Sequence, residues 1–294
     1  MPELPDLTVY LEHLERRTRG EKLERIRLAS PFVLRTVSPR PETLEGHRVV
    51  GWSRLGKQLV AELEGELFAV IHLMISGRLW WERAGVPIPK GRGLAAFDFA
   101  EGSILFTEVS KKKRASLKLV GSRETLAALD PGGLEIFAID KLAFAARLRA
   151  ENHTLKRALT DQHVFAGIGN AYSDEILLHA GLSPFKPAAS LSDDEMSRLF
   201  DACRRCLTQW VERLREKCGE TFPKKVTAFH AEMAVHGKYR QPCPVCGAPV
   251  QRIVYAENES NYCARCQTGG RLLADRALSR LLKDNWPKRL EDLE

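Results

Sequence analysis

Cys243-Pro244-Val245-Cys246 and Cys263-Ala264-Arg265-Cys266 stand sixteen residues apart. Two C-x₂-C pairs at this separation have the form of a four-thiolate zinc site. Each pair sits on a tight knuckle, and the four sulfurs complete a tetrahedron. Such a site has no open coordination position, so its metal is structural. The expected cofactor is one structural Zn²⁺ held by Cys243, Cys246, Cys263 and Cys266. A disulfide reading would need an oxidising compartment. The N-terminus, Met1-Pro2-Glu3-Leu4-Pro5-Asp6, lacks the basic and apolar regions of a signal peptide. Cys203-Arg-Arg-Cys206 lies in a stretch of helical periodicity with no strand before it. It reads as a buried helix face, not as a redox pair.

Upstream of the cysteine module the period of the sequence changes twice. Residues 1–20 read as an amphipathic helix, with Val9, Leu11 and Leu14 in an apolar stripe among Glu12, Glu15, Arg16 and Arg17. Short alternating runs follow over 22–120, among them Lys22–Leu28, His47–Ser53, Gln58–Leu63, Leu67–Leu73 and Ala95–Phe99. Their spacing predicts an antiparallel sandwich or barrel. Leu129-Asp130-Pro131-Gly132-Gly133 has the composition of a linker. From about 138 to 218 the period is helical, and Ser192 with Glu195 three residues on forms a capping box. Residues 219–240 are irregular. Leu272, Leu273, Ala277, Leu278, Leu281 and Leu282 recur at helix spacing up to Trp286-Pro287.

The expected fold class is therefore α+β and multidomain. A β-sandwich with a leading helix occupies 1–130, a linker 131–150 and a helical domain 151–235. The four-cysteine finger spans 236–267 and a helical extension 268–294. The 294-residue length suits about two domains, and 44% hydrophobic against 28% charged residues excludes a disordered chain. No run of about 18 apolar residues exists, so no membrane partner is expected. A cytoplasmic protein follows, associated with the nucleoid if bacterial. Lys plus Arg exceed Asp plus Glu by 45 to 38, which favours a polyanion as partner.

Chemistry enters at the N-terminus. Removal of Met1 would leave Pro2 with a terminal secondary amine. A terminal amine has a pKa of about 7.7–8.0 against about 10.4 for lysine, so near neutrality its free-base fraction is roughly two orders of magnitude larger. It can attack a sugar C1′ and form an iminium, and the Glu3 carboxylate can shuttle the protons.

Pro2-Glu3-Leu4-Pro5, Lys57 in a strand–turn context, Gly167-Ile-Gly-Asn170-Ala-Tyr172-Ser-Asp174-Glu175 and the four-cysteine finger occur in that order. Together they resemble the formamidopyrimidine-DNA glycosylase and endonuclease VIII family, over nearly the whole chain from residue 2 to about 267. Supporting matches include His72-Leu73, Ser76-Gly77-Arg78-Leu79, Lys156, Asp161-Gln162, Val235-His236-Gly237 and Cys266-Gln267. The resemblance implies a DNA-binding helix–two turns–helix element around Gly167–Glu175. It implies Pro2 as nucleophile, Glu3 as its acid/base partner and Lys57 near the lesion, with His72 and Asn170 on phosphates. The implied activity is a DNA glycosylase and AP lyase working through a Pro2 Schiff base and β,δ-elimination, as a monomer on DNA.

Departures from the family pattern carry information too. Where an Asp-Pro-Arg-Arg-Phe-Gly loop is usual, this chain has Val109-Ser110-Lys111-Lys112-Lys113-Arg114. The arginine facing the orphaned base and the aromatic wedge are thus replaced, and Lys111, Lys112, Lys113 and Arg114 become candidate phosphate contacts. The void-filling methionine aligns with Ile75, the finger arginine with Asn258, and the segment 219–232 is short where a lesion-capping loop is found. Wedge residues fill the gap that a flipped base leaves. Their replacement points to single-stranded or distorted DNA. It also leaves open a second function, that of a non-catalytic damaged- or single-stranded-DNA-binding protein on the same scaffold.

Overall fold

In a computed structural model the chain divides into two compact units, Met1–Pro131 with Trp210–Ala228, and Gly132–Gln209 with Phe229–Glu294. The structure describes all residues except 225, 256–257, 275–279, 283–286 and 294. Among the described residues no helix is long and apolar enough to cross a membrane.

The first unit opens with α1 (Leu4–Thr18). Leu7, Tyr10 and Leu14, spaced by three and four, lie on one face and are fully buried. The Tyr10 hydroxyl donates to the Leu79 carbonyl and accepts from its N–H, both at 3.2 Å, while Trp52 N–H donates to Glu15 Oε2 at 2.8 Å. These bonds fix the helix, and with it the chain terminus, on the sheets. After β1 (Arg25–Leu28) and the short α2 (Pro41–Leu44) come β2 (Val49–Leu55), β3 (Gln58–Leu63), β4 (Leu67–His72), β5 (Gly77–Glu82), β6 (Gly93–Phe99), β7 (Gly102–Glu108) and β8 (Ser116–Val120), then α3 (Arg123–Ala127). They form two four-stranded antiparallel sheets, ordered β1-β6-β7-β5 and β2-β3-β4-β8. Leu59, Ala61 and Leu63 alternate inward from one sheet, Ile104 and Phe106 from the other, into a single core. The expected β-sandwich with its leading helix is what the chain builds.

The second unit contains α4 (Lys141–Arg149), α5 (Leu155–Thr160), α6 (Asn170–Ala180) and most of α7 (Asp193–Cys218). Phe144 stacks on Phe165 at 4.8 Å and packs against Phe200 at 5.3 Å in its core. The α7 capping box forms as its sequence predicts: Ser192 N–H donates to Glu195 Oε2, and Glu195 N–H to Ser192 Oγ. Cys203 and Cys206 are fully buried on that helix, and burial raises the Cys203 thiol. β9 (Val250–Tyr255) and β10 (Asn258–Cys263) pair as an antiparallel hairpin, followed by α8 (Ala264–Thr268).

Three stretches differ from the sequence-based expectation. The 131–150 stretch, expected as a linker, carries α4 inside the helical period that starts near 138, capped by Asp140 at 2.8 Å to the Ala143 N–H, with Phe144 and Leu148 buried. Trp210–Ala228 groups with the sandwich, and Phe222 and Val226 enter its core. Leu272 and Leu273 are not helical. They pack in extended backbone beside Ile253 and Tyr262, and the Leu272 N–H donates to the Lys288 carbonyl at 2.9 Å. Leu281 and Leu282 are helical, whereas Ala277, Leu278 and Trp286 lie outside the described residues.

Candidate active site

Pro2 and Glu3 are buried immediately ahead of α1, with Glu3 at the N-cap. Glu3 N–H donates to Asp6 Oδ2 at 2.9 Å in a reciprocal capping box. This box fixes the backbone that follows Pro2. The Met1 amine, one residue ahead of Pro2, has its pKa lowered, first by burial and then by the charges of Arg78 and Lys57, against the opposing pull of Glu3 and Asp6. The positive end of the α1 dipole acts in the same direction as the two cations. Burial, helix and cations thus all favour a neutral, nucleophilic amine. Arg78 was not marked as a site residue by its sequence position. Its guanidinium is held by the Gly77 and Ile75 carbonyls at 2.6 and 3.2 Å.

Lys57 occupies the two-residue turn joining β2 to β3, where Leu55 pairs with Gln58. Gly56 precedes it with φ 55°, in the position a II′ hairpin turn reserves for glycine. His72 ends β4 between Gln58 and Ser116. Burial, then Lys57, then Lys118 push its pKa down to about 4. His72 is therefore neutral at pH 7 and can offer a phosphate one N–H but no charge. The ordinary histidine value is about 6.5, so between about pH 6.5 and 4 the unfolded chain binds the extra proton. Stability should fall as pH drops through that window. His72→Gln is expected to flatten this part of the stability–pH curve, measured by denaturant unfolding. An unchanged curve would place the titration elsewhere.

The β7–β8 loop carries the four cations, and all four are exposed. Its root is organised by Glu108, which is 1% exposed. That carboxylate accepts from the Arg114 N–H at 2.9 Å, the Ala115 N–H at 3.1 Å and the Ser76 hydroxyl at 3.1 Å. The Lys113 ammonium donates to the Glu108 carbonyl. The loop is thus tied to the β4–β5 turn, which exposes Ile75 (56%) as the loop exposes Val109 (73%). Glu108 was missed in the sequence. Its only signal there is an acid closing the apolar run Ile104-Leu-Phe-Thr-Glu108.

In the second unit Gln162 clasps the glycine turn. Its amide donates to the Ile168 carbonyl at 2.7 Å, and its oxygen accepts the Gly167 N–H at 2.9 Å. Gly167 has φ 82°, which side chains rarely tolerate. The turn delivers Asn170 to the first position of α6, whose positive end suits an anion. Behind it, buried Lys156 donates to the Asn170 carbonyl and to Asp174 Oδ1, both at 2.6 Å. Asp174 also bonds the His236 ring at 2.8 Å and Asn261 Nδ2 at 3.2 Å. Glu175 accepts the N–H groups of Ala234, Val235 and His236 at 2.8, 2.9 and 3.0 Å. Asp174 and Glu175 thereby join the helix to the finger. In the sequence they close the motif Gly167–Glu175, with no sign of their finger partners.

Cys243, Cys246, Cys263 and Cys266 bring their sulfurs within 4.8 Å of one another. Cys243 to Cys266 is 4.0 Å and Cys246 to Cys263 3.4 Å. A zinc tetrahedron with Zn–S of 2.3 Å has edges of about 3.8 Å, so the donor set fits one structural zinc. Burial pushes the Cys263 thiol up to about 11 and Cys266 higher still. Against its own burial, the Ala248 N–H and the neighbouring thiols hold Cys246 below the ordinary value. Bound zinc would take the place of the protons these thiols otherwise share. The side chain of Asn258 lies outside the described residues.

Three family descriptions match in order. Formamidopyrimidine-DNA glycosylase N-terminal domain covers residues 1–117, Formamidopyrimidine-DNA glycosylase H2TH domain covers 129–220, and the zinc finger found in FPG and IleRS covers 240–269. A formamidopyrimidine-DNA glycosylase of Moorella thermoacetica is 34% identical over 264 residues, 86% of this chain and 94% of the relative. One from Thermus thermophilus is 33% identical over 282 residues, 92% of this chain and 100% of its own. The solved complex between Lactococcus lactis Fpg and an abasic site containing DNA superposes with a TM-score of 0.78 at 26% identity, covering 90% of this chain and 99% of that one. The sandwich with its buried Pro2, the clasped glycine turn and the four-cysteine finger make this chain a member of the formamidopyrimidine-DNA glycosylase family.

Proposed function

We propose that the protein is a bifunctional DNA glycosylase and AP lyase that works on DNA containing damaged bases or abasic sites. The observation that carries this reading is Pro2 and Glu3 buried immediately ahead of α1, with the Arg78 and Lys57 charges acting on the adjoining chain terminus, in a chain of this family. With Met1 removed, the Pro2 nitrogen attacks C1′. The C1′–base bond breaks, and the base leaves with the bonding pair. Glu3 takes the proton from the new ammonium and delivers it to O4′ as the C1′–O4′ bond opens, leaving an iminium. Loss of a C2′ proton then expels the 3′ phosphate, and a second elimination expels the 5′ phosphate. Lys57, His72 and Asn170 hold phosphates in this reading.

Strand preference follows from the β7–β8 loop. A wedge fills a stacked gap, whereas lysine is strongly hydrated and stacks poorly. Opening a duplex costs a few kcal/mol, and an unpaired base requires much less. The exposed Lys111–Arg114 cations still neutralise phosphates, at a salt slope of about −0.7 per contact on single strands. The expected result is faster cleavage of lesions in single-stranded, bubble or fork DNA than in duplex, across a panel of lesion oligonucleotides. Changing all four cations to Ala should weaken binding and its salt dependence while sparing imine formation on bound DNA. Equal or faster cleavage of duplex would contradict this and give the wedge role to exposed Ile75 and Val109. Binding with no borohydride-trapped adduct on abasic DNA would favour the non-catalytic binder.

A further inference from the structure

A cleft of about 530 Å³ runs along the outer edge of β8 in the first unit, lined among others by Arg35, Thr36, Ser38, Lys118, Ser122 and Thr125. Two cations and four hydroxyls face it, and among the described residues no carboxylate lines it. Neither Arg35 nor Lys118 has an ion-pair partner among the described residues, whereas Arg27 binds Asp98 and Arg123 binds Glu62. The Arg35 N–H donates to the Leu117 carbonyl at 2.8 Å, which lashes the 35–39 segment to the strand. Thr36 Oγ1 accepts the Leu119 N–H at 2.9 Å, which leaves its own proton for another acceptor. Two unneutralised cations among hydroxyl donors are the chemistry of an oxyanion site.

The cleft begins where the candidate active site ends. Ser116 pairs directly with His72, and Lys118 lies two residues along the same strand on the same face. Two strand positions span about 6.6 Å, comparable with the separation of neighbouring phosphates along an extended strand. Lys57 and Lys118 both lower the His72 pKa. A cleft of this size accommodates a sugar together with its phosphate.

We propose that Arg35 and Lys118 bind a backbone phosphate of the DNA strand flanking the reacting nucleotide. The proposal rests on the reading of DNA as the substrate. It extends the phosphate track beyond Lys57 and His72 along the face of the sandwich. The Arg35→Gln/Lys118→Gln double variant removes both charges at an edge where neither side chain has an ion-pair partner. Its binding to an oligonucleotide carrying a reduced abasic analogue is to be measured by anisotropy across a salt series. Two lost contacts should reduce the salt slope by about 1.4 on single strands and weaken binding roughly 25-fold at 0.1 M salt. Arg35→Lys/Lys118→Arg keeps the charges and should restore most of the slope. A single neutral methylphosphonate at the flanking position should weaken wild-type binding and leave the double variant unaffected. Borohydride trapping at saturating abasic DNA should be unchanged. An unaltered slope, or equal sensitivity of both proteins to every methylphosphonate, overturns the proposal. If slopes change as expected but no protein forms an adduct, the phosphate site stands and the glycosylase reading fails.

Discussion

Cys263→Ser is expected to unfold the C-terminal finger and strip the protein of its zinc. Zinc in such four-thiolate modules contributes about 10–16 kcal/mol of apparent binding energy, far more than the apolar cluster of Val235, Ala248 and Val250 around the knuckles supplies. At roughly 1.5–3 kcal/mol per buried aliphatic side chain, that cluster cannot hold the finger alone. The damage should stay in the second unit, because the sandwich has its own core of Leu59, Ile71, Ile104 and Phe106. Metal analysis should find one zinc per wild-type chain and none in the variant. DNA affinity should fall with the metal, and the sandwich should keep its own cooperative unfolding transition. Wild-type protein holding iron or no metal would contradict the assignment.

How much of this could be read from the sequence depends on the range of the interactions. Period-two runs such as Gln58–Leu63 are visible because burial alternates within one strand, and that strand matches its run residue for residue. The Ser192–Glu195 box and the paired cysteines are equally local. The helical period of α4 shows from about 138, although Pro131, Gly132 and Gly133 ahead of it read as a linker, and the distant packing of Phe144 on Phe165 and Phe200 commits it. Leu272 and Leu273 have helical spacing, yet pairing with the Lys288 region and the Tyr262 hydroxyl sets their backbone. Pro2, Glu3 and Lys57 were suggested as candidates by resemblance and by position in the chain. Glu108 and the Arg35–Lys118 cleft were not, since each is defined by segments that meet only after the sheets close.

Placing any residue ahead of Pro2 is expected to remove covalent chemistry while leaving the fold and DNA binding in place. The nitrogen of Pro2 would then be an amide with no free lone pair. Pro2→Gly keeps a terminal amine but loses the secondary amine and the ring that orients it, so adduct formation should weaken without vanishing. The Met1 amine is held below its ordinary value by burial, with Arg78 and Lys57 adding to the shift, and a Pro2 amine freed by removal of Met1 would stand beside the same cations. Only its neutral form attacks. The rate of adduct formation should therefore rise with pH and level off below the lysine range. Lys57 and other lysines, ordinarily near 10.4, would give a rate still climbing there.

Borohydride trapping on an abasic oligonucleotide, followed by mass mapping of the adduct, tests the nucleophile directly. The mature protein should yield a covalent complex whose DNA remnant maps to Pro2, and the chain that retains Met1 should yield none. Equal trapping by the Met1-retaining chain, or an adduct on Lys57, would contradict the account.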